Sequence, residues 1–164
     1  MTAEKRRRVA VGSDMSHPVA DSIASHLEAA GCAVVRCGAV GGEATPWPAV
    51  AEQVGRLVAG GAVDQGVLCC WTGTGVSIAA NKVPGVRAAL CDDAVTASGA
   101  RRWNDANVLA VSLRSTSAAI AEEMLDAWLA TESAEPAEID NINAVEEIER
   151  RYQARAAEAR SANA

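Results

Sequence analysis

An apolar run that ends in a cysteine is followed at once by a glycine-rich turn in residues 67–77, VLCCWTGTGVS. Cys70 stands at the end of the apolar run, and Gly73 and Gly75 flank Thr74 before a predicted helix. In α/β proteins, ligands bind where a buried parallel strand ends and a helix begins. The turn amides and the helix dipole there favour an anion or a developing oxyanion, and they stabilise a nearby thiolate. The segment therefore predicts an isomerase or an acyl-type enzyme.

A predicted alternation of strands and helices positions these residues. Short apolar segments end near Gly12, Cys37, Cys70, Cys91 and Val111, and helical segments separate them. Strict alternation of this kind predicts a five-stranded parallel sheet with helices on both faces. Because the carboxyl ends of parallel strands meet at one edge, a carboxylate that follows the first strand is also expected at the ligand-binding edge.

Composition excludes several classes of function. The chain has 164 residues, a net charge of −6, five cysteines and two histidines. An acidic chain is a poor general nucleic-acid binder, and no apolar segment is long enough to span a membrane. Five cysteines without the spacing of a disulfide scaffold favour the reducing cytoplasm. With both histidines near the N-terminus, neither a metal site nor a cofactor is expected.

The sequence divides into three parts: a basic tail (residues 1–8), an α/β domain (residues 9–131), and a linker with a C-terminal helix (residues 132–164). The basic run at residues 5–8 directly precedes the first strand and is predicted to be a solvated tail. In the last part the apolar residues form a narrow stripe on a charged helix: Ile142, Val145, Ile148 and Tyr152. A stripe this narrow indicates contact with a partner subunit.

Several motifs in order carry a family resemblance: the glycine turn, AANKVPGVRAALC at residues 79–91, NDANVLA at 104–110, GSD at 12–14 and DAWL at 126–129. Together they resemble the type B ribose-5-phosphate isomerases and the related galactose-6-phosphate isomerases. The resemblance implies a Rossmann-like three-layer α/β/α sandwich and a homodimer or tetramer with shared active sites. It also implies aldose–ketose isomerisation of a sugar phosphate through an enediolate, with a cysteine at the Cys70 position as base.

The candidate site departs from the pattern of this family. A histidine, a tyrosine, a glycine and a ring-opening histidine of the family are replaced, respectively, by Met15, Trp47, Trp71 and Trp103. The arginines and histidine that clamp phosphate in the family align with Ala137, Glu138 and Asn141. These changes remove charge-assisted donors for phosphate, while indole rings add flat apolar surface. We therefore expect an unphosphorylated substrate that is flat or apolar.

The candidate site residues fall into two groups. The catalytic candidates are Cys70, Asp14 and Thr72. The candidates for substrate binding are Met15, His17, Trp47, Trp71, Gly73, Thr74, Gly75, Trp103 and Asn104. Structural alternatives stay open for several of them: Asp14 as a cap of the first helix, Asn104 as a turn residue and His17 as a surface residue. Cys32, Cys37, Cys69 and Cys91 are expected to be inert apolar residues.

Three functions are compatible with this pattern. The leading one is an isomerase with Cys70 as thiolate base or nucleophile, which shifts a proton or rotates a double bond of a conjugated carbonyl compound. The substrate is expected to be a small molecule or a compound bound to a carrier in a biosynthetic pathway. The second is an aldose–ketose isomerase of a pentose or hexose phosphate, with Lys82, Arg101 or Arg102 as its cations. The third is a non-catalytic subunit that completes the site of a homologous chain.

Overall fold

Strands and helices alternate along the part of the chain that the computed structural model describes, residues 6–162. The strands are β1 (Arg8–Ser13), β2 (Ala33–Gly38), β3 (Gln65–Cys70), β4 (Ala88–Leu90) and β5 (Val108–Ser112). The helices are α1 (Pro18–Ala29), α2 (Trp47–Ala59), α3 (Thr74–Ala80), α4 (Ala94–Asn104), α5 (Ala118–Ala130) and α6 (Ile139–Ala162). Short 3₁₀ turns cover Ala39–Gly41 and Pro136–Glu138.

The strands form one parallel sheet in the order β2-β1-β3-β5-β4. The central strand β3 pairs with β1 and β5, and each of its residues is buried. A parallel strand covered on both faces is expected to be apolar, as this one largely is. Cys70 lies opposite Ser112, and Gly66 lies opposite Val108, where β5 begins. The prediction of a Rossmann-like sandwich with five parallel strands is confirmed.

Helices cover the sheet on both faces and create two separate cores. Helices α1, α4 and α5 pack on the face that carries Cys69 and Leu109. Helices α2 and α3 pack on the opposite face, which carries Leu68 and Cys70. The two adjacent cysteines lie on opposite faces because successive strand residues alternate. Of these two cysteines, Cys70 is the one that shares a face with α3, the helix that follows the glycine turn.

The arginines before the first strand are bound to the domain, which corrects the prediction of a solvated tail through residue 8. Arg6 Nε donates to the Gly31 carbonyl at 2.9 Å, at the end of α1. Arg7 donates to the Leu129 carbonyl at 2.8 Å. Arg8 belongs to β1. Residues 1–5 of the proposed tail lie outside the described residues.

The C-terminal helix α6 contacts its own domain through residues of its first three turns. Ile142 is buried, Glu149 accepts a 3.0 Å hydrogen bond from the Gly85 amide, and Glu146 lies 3.9 Å from Arg87. The remaining stripe residues are about half exposed: Val145, Ile148 and Tyr152. Most of the stripe is thus left uncovered within this chain, and contact with a partner subunit stays a prediction.

Among residues 6–162 no helix combines the length and apolarity needed to cross a membrane.

Candidate active site

The segment after β3 is held in place by β5 and the residues that follow it. The Cys70 carbonyl accepts a 3.0 Å hydrogen bond from the Leu113 amide, and the Trp71 carbonyl accepts one of 2.9 Å from the Arg114 amide. The Ser112 hydroxyl also donates to the Trp71 carbonyl at 3.1 Å. The chain is therefore fixed at Cys70 and Trp71 before it turns into α3.

Gly73 makes the turn possible. Its φ of 73° lies in the left-handed region, which residues with a side chain rarely adopt. A Cβ at this position would lie 2.6 Å from Leu90 Cδ1 and 2.9 Å from the Val111 carbonyl carbon. Both the backbone conformation and the close approach to β5 therefore require glycine here.

Helix α3 begins at Thr74, three residues earlier than the sequence pattern predicts, so Thr74 and Gly75 belong to its first turn. No side chain caps this start, whereas α1, α4 and α5 are capped by His17, Asp93 and Ser117. The first amides of a helix have no partner within the helix. The amides at the start of α3 are consequently available to an oxygen bound beside Cys70.

Four of the five cysteines are chemically quiet. Burial raises the pKa of the Cys69 thiol to about 12, and the charges of Cys70 and Asp14 add to the rise. Burial together with Asp92 and Asp93 raises the pKa of Cys91 to about 12. Burial also raises the pKa of the remaining two thiols, Cys32 and Cys37. A thiol with a raised pKa is a poor nucleophile at neutral pH.

Cys70 differs from them in its position. It ends β3, is 6% exposed, and lies in the core formed with α2 and α3, directly before the turn. No hydrogen bond of its thiol group is found within residues 6–162. The sulfur therefore lies beside the start of α3 and is not engaged by another side chain of the described chain.

Asp14 follows β1 at the same edge of the sheet. Its Oδ1 is buried and has no hydrogen-bond partner among the described residues. A buried acceptor without a partner is costly, so this oxygen is suited to a ligand hydroxyl. Helix α1 is capped by His17, so the alternative that Asp14 caps this helix is wrong.

Two tryptophans lie near the turn in sequence or in space. The benzene ring of Trp47 lies against Gly75, where a Cβ would be 3.1 Å from Trp47 Cε3. Trp71 directly follows Cys70 and is 52% exposed. Trp47 therefore places indole surface beside the turn, and its role in substrate binding stays a prediction.

Trp103 and Asn104 lie in another part of the chain, so within one chain Trp103 does not share a pocket with Trp47 and Trp71. Helix α4 ends at Asn104, shortly before β5 begins, so both residues lie at the amino edge of the sheet. Val108 begins β5 and Ser112 ends it, and the four residue steps between them span about 13 Å along the strand. Within one chain the two groups of candidate residues therefore do not meet, and a site shared between two chains, which the family resemblance implies, stays a prediction.

The amino edge carries a groove of its own, with a volume of 1110 Å³. Trp103 and Asn104 line it together with Lys82 and with residues of α6. The positions aligned with the family's phosphate clamp lie at or beside it, and there the Asn141 amide donates to Glu138 at 2.8 Å. Apart from Ala137, these positions offer an amide and a carboxylate but no cation.

The structure assigns other tasks to two further candidates. His17 caps α1 through Nδ1, which accepts a 3.2 Å hydrogen bond from the Val19 amide. Met15 packs against the core beneath α1 and α5. The Ser13 hydroxyl is buried and donates to the Met15 carbonyl at 2.8 Å, which fixes the loop after β1. Both proposed binding residues therefore shape this loop.

Arg114 is a candidate that the sequence reasoning missed. It follows β5 by two residues, its amide binds the Trp71 carbonyl, and its exposed guanidinium has no ion-pair partner within residues 6–162. Arg101 and Arg102 are engaged instead, Arg101 by the Ala106 carbonyl at 2.7 Å and Arg102 by Glu135. An arginine two residues after a predicted strand is visible in the sequence, and it could have been predicted to lie at the ligand-binding edge of the sheet.

No cluster of three His, Cys, Asp or Glu side chains suited to a metal ion occurs in the described part of the chain.

Comparisons with known proteins agree with this fold. The profile of the ribose/galactose isomerase family matches residues 9–147. Ribose-5-phosphate isomerase B of Escherichia coli (strain K12) is 38% identical over 146 residues, which cover 88% of this chain and 98% of that protein. Galactose-6-phosphate isomerase subunit LacB of Clostridium acetobutylicum is 37% identical over 124 residues, 74% of this chain and 70% of that protein. The structure of Clostridium thermocellum ribose-5-phosphate isomerase B matches with a TM-score of 0.83 at 35% identity and covers 88% of this chain and 99% of that one.

The fold and the glycine turn define a Rossmann-like isomerase of the α/β class. Matches of this identity and coverage settle its membership: the chain belongs to the ribose/galactose isomerase family.

The raised thiol pKa values predict selective alkylation. At pH 8 a thiol of pKa about 12 is thiolate in roughly one molecule in ten thousand, so we expect Cys69 and Cys91 to resist iodoacetamide in the folded protein. Cys70 is expected to react first. Peptide mass spectrometry after timed labelling measures this, with the protein unfolded in guanidinium as control. Equal labelling of Cys69 and Cys70 in the folded protein would contradict it.

Proposed function

We propose that the chain is an isomerase in which Cys70 moves a proton on a carbon next to a carbonyl group. The observation that carries this proposal is the position of Cys70 beside the uncapped start of α3. A base and a set of hydrogen-bond donors then face the same small volume, which is what formation of an enediolate requires. The Asp14 carboxylate at the same edge is suited to hold a substrate hydroxyl.

The proton balance of such a reaction is simple. The Cys70 thiolate takes the proton from the carbon next to the carbonyl, and the carbon–hydrogen electron pair forms the carbon–carbon double bond of an enediolate. The carbonyl oxygen becomes an oxyanion near the amides of Thr74 and Gly75. The hydroxyl on the deprotonated carbon gives its proton to this oxyanion, and its carbon–oxygen bond becomes the new carbonyl group. The Cys70 thiol returns the first proton to the former carbonyl carbon and is a thiolate again. The Thr72 hydroxyl stabilises an oxygen of the enediolate by donating a hydrogen bond.

Aldose–ketose isomerisation of a pentose or hexose phosphate is the reaction that the family supports best. The relatives described above are named for ribose 5-phosphate and galactose 6-phosphate. Arg114 adds support from this chain, because its guanidinium is free among the described residues and its backbone binds the Trp71 carbonyl. A guanidinium binds phosphate through charge-assisted hydrogen bonds. We therefore rank sugar phosphates above the unphosphorylated substrates that were expected from the replacement of the family's phosphate-binding residues.

An unphosphorylated, flat or apolar substrate remains the second candidate. The indole of Trp47 against Gly75 favours it, as does the absence of a cation at residues 137, 138 and 141. With such a substrate, Cys70 could also add to a conjugated carbonyl compound, allow the former double bond to rotate, and leave again as the thiolate. That sequence produces E/Z isomerisation with no net change in atoms or protons.

We further propose that two chains complete each site. Cys70 lies at the carboxyl edge of the sheet, and Asn104 lies at the amino edge beside the groove of α6. A second chain that covers the exposed stripe of α6 would bring the two edges together. The same geometry is compatible with a homologous partner chain in place of a second copy, in which case the isolated protein would be inactive.

The Cys70→Ser variant tests the proposed chemistry. We expect wild-type protein to convert ribose 5-phosphate to ribulose 5-phosphate, and Cys70→Ser to lose about 10²- to 10⁴-fold in kcat, because a hydroxyl is a much weaker base at neutral pH. Cys69→Ala is the matched control, since it changes the adjacent thiol on the other face. Full activity of Cys70→Ser contradicts the proposal. Turnover of an enoyl thioester but not of the sugar phosphate would favour the second candidate.

Arg114 distinguishes the two substrate classes. We expect Arg114→Gln to raise the KM for ribose 5-phosphate about 10- to 100-fold, because a charge-assisted contact to phosphate is lost. The KM of Arg114→Lys for ribose 5-phosphate should lie between those of wild type and Arg114→Gln. The KM for an unphosphorylated substrate should not change in either variant. Arg56→Gln, an exposed arginine on α2, serves as control. An unchanged KM for the sugar phosphate in Arg114→Gln would exclude Arg114 as its anchor.

A further inference from the structure

The two threonines that flank Gly73 are hydrogen bonded to each other. Thr72 Oγ1 and Thr74 Oγ1 are 2.7 Å apart, and both side chains are exposed at the mouth of the turn. The left-handed conformation of Gly73 reverses the chain between them. Side chains at positions i and i+2 therefore meet here, and of the two threonines only Thr72 has a task in the proposed reaction.

Thr74 is the more rigidly held member of this pair. It is the first residue of α3. The helical turn that contains it is closed by a hydrogen bond of 3.2 Å from the Ser77 amide to the Gly73 carbonyl. Thr72 lies outside the helix, and its hydroxyl has no other hydrogen bond within residues 6–162. The orientation of the Thr72 hydroxyl therefore depends on Thr74.

We propose that Thr74 is a positioning residue that directs the Thr72 hydroxyl toward the reacting oxygen. The Thr74 hydroxyl donates its proton to Thr72 Oγ1, which leaves the Thr72 proton free to point at the substrate. A chain of two hydroxyls then ends at the oxygen on which negative charge develops. Hydrogen bonds in such a chain polarise one another, so the first bond strengthens the second. No proton is transferred along the chain. This inference rests on the proposed function.

The effect of Thr74 should appear in kcat rather than in KM. The Thr72 hydroxyl donates most strongly when the oxyanion has formed, so misdirecting it weakens stabilisation of the transition state more than binding of the substrate. Loss of one neutral hydrogen bond corresponds to a decrease of about 3- to 10-fold in kcat. A purely structural role of Thr74 would instead lower the melting temperature and leave kcat per folded molecule unchanged.

The test compares Thr74→Val with Thr74→Ser in the full-length protein, each alone and in the Thr72→Val background. Valine has the shape of threonine without the hydroxyl, and serine restores the hydroxyl. We expect Thr74→Val to lower kcat about 3- to 10-fold with KM within about 2-fold, and Thr74→Ser to recover most of the loss. In the Thr72→Val background, Thr74→Val should have no further effect, because the hydroxyl that it orients is already gone.

Two results would overturn the inference: a kcat of Thr74→Val equal to that of wild type, or the same decrease in both backgrounds. Thermal unfolding followed by circular dichroism controls for folding, and we expect the same melting temperature for Thr74→Val and wild type. Failure of the proposed function looks different. In that case wild type turns over neither a sugar phosphate nor an enoyl thioester, or Cys70→Ser keeps full activity, and the inference falls with it.

Discussion

The candidate site depends on the close approach of Gly73 to β5. The turn has room only because a hydrogen atom stands where a Cβ would lie 2.9 Å from the Val111 carbonyl carbon. That approach lets the Leu113 and Arg114 amides hold the carbonyls of Cys70 and Trp71. The same backbone reversal opens the start of α3 and brings Thr72 to Thr74. The sulfur, the free amides and the hydroxyl pair are thus consequences of one tight turn.

The two edges of the sheet have different chemistry. The carboxyl edge carries a sulfur, an unpartnered carboxylate oxygen on Asp14, and the guanidinium of Arg114. The amino edge carries Trp103, Asn104 and the acidic residues of α6 around an open groove. The positions that align with the family's phosphate clamp lie at or beside this second edge and carry no cation at residues 137, 138 and 141. Arg114 at the first edge is the anion ligand that we propose in place of the clamp.

The sequence predicted the alternation of elements, the parallel sheet and the place of Cys70, because apolar strands, capped helices and glycine turns leave local patterns. It did not predict that α3 starts at Thr74, since glycine has low helix propensity and the helix is stabilised by its packing. It grouped Trp103 with Trp47 by similarity to a family, and such similarity gives positions in a site without saying which chain supplies them. The contacts of Arg6 and Arg7 with distant carbonyls depend on tertiary structure and have no local signal.

The central claim is that Cys70 of one chain and Asn104 of another form one site. Co-expression of Cys70→Ser and Asn104→Ala chains with different affinity tags allows the mixed dimer to be isolated. If sites are shared, the mixed dimer carries one intact site and one doubly altered site, and we expect about half of the wild-type activity, whereas each pure variant is nearly inactive. A mixed dimer as inactive as the two variants would contradict the claim, because each chain would then hold a complete site of its own.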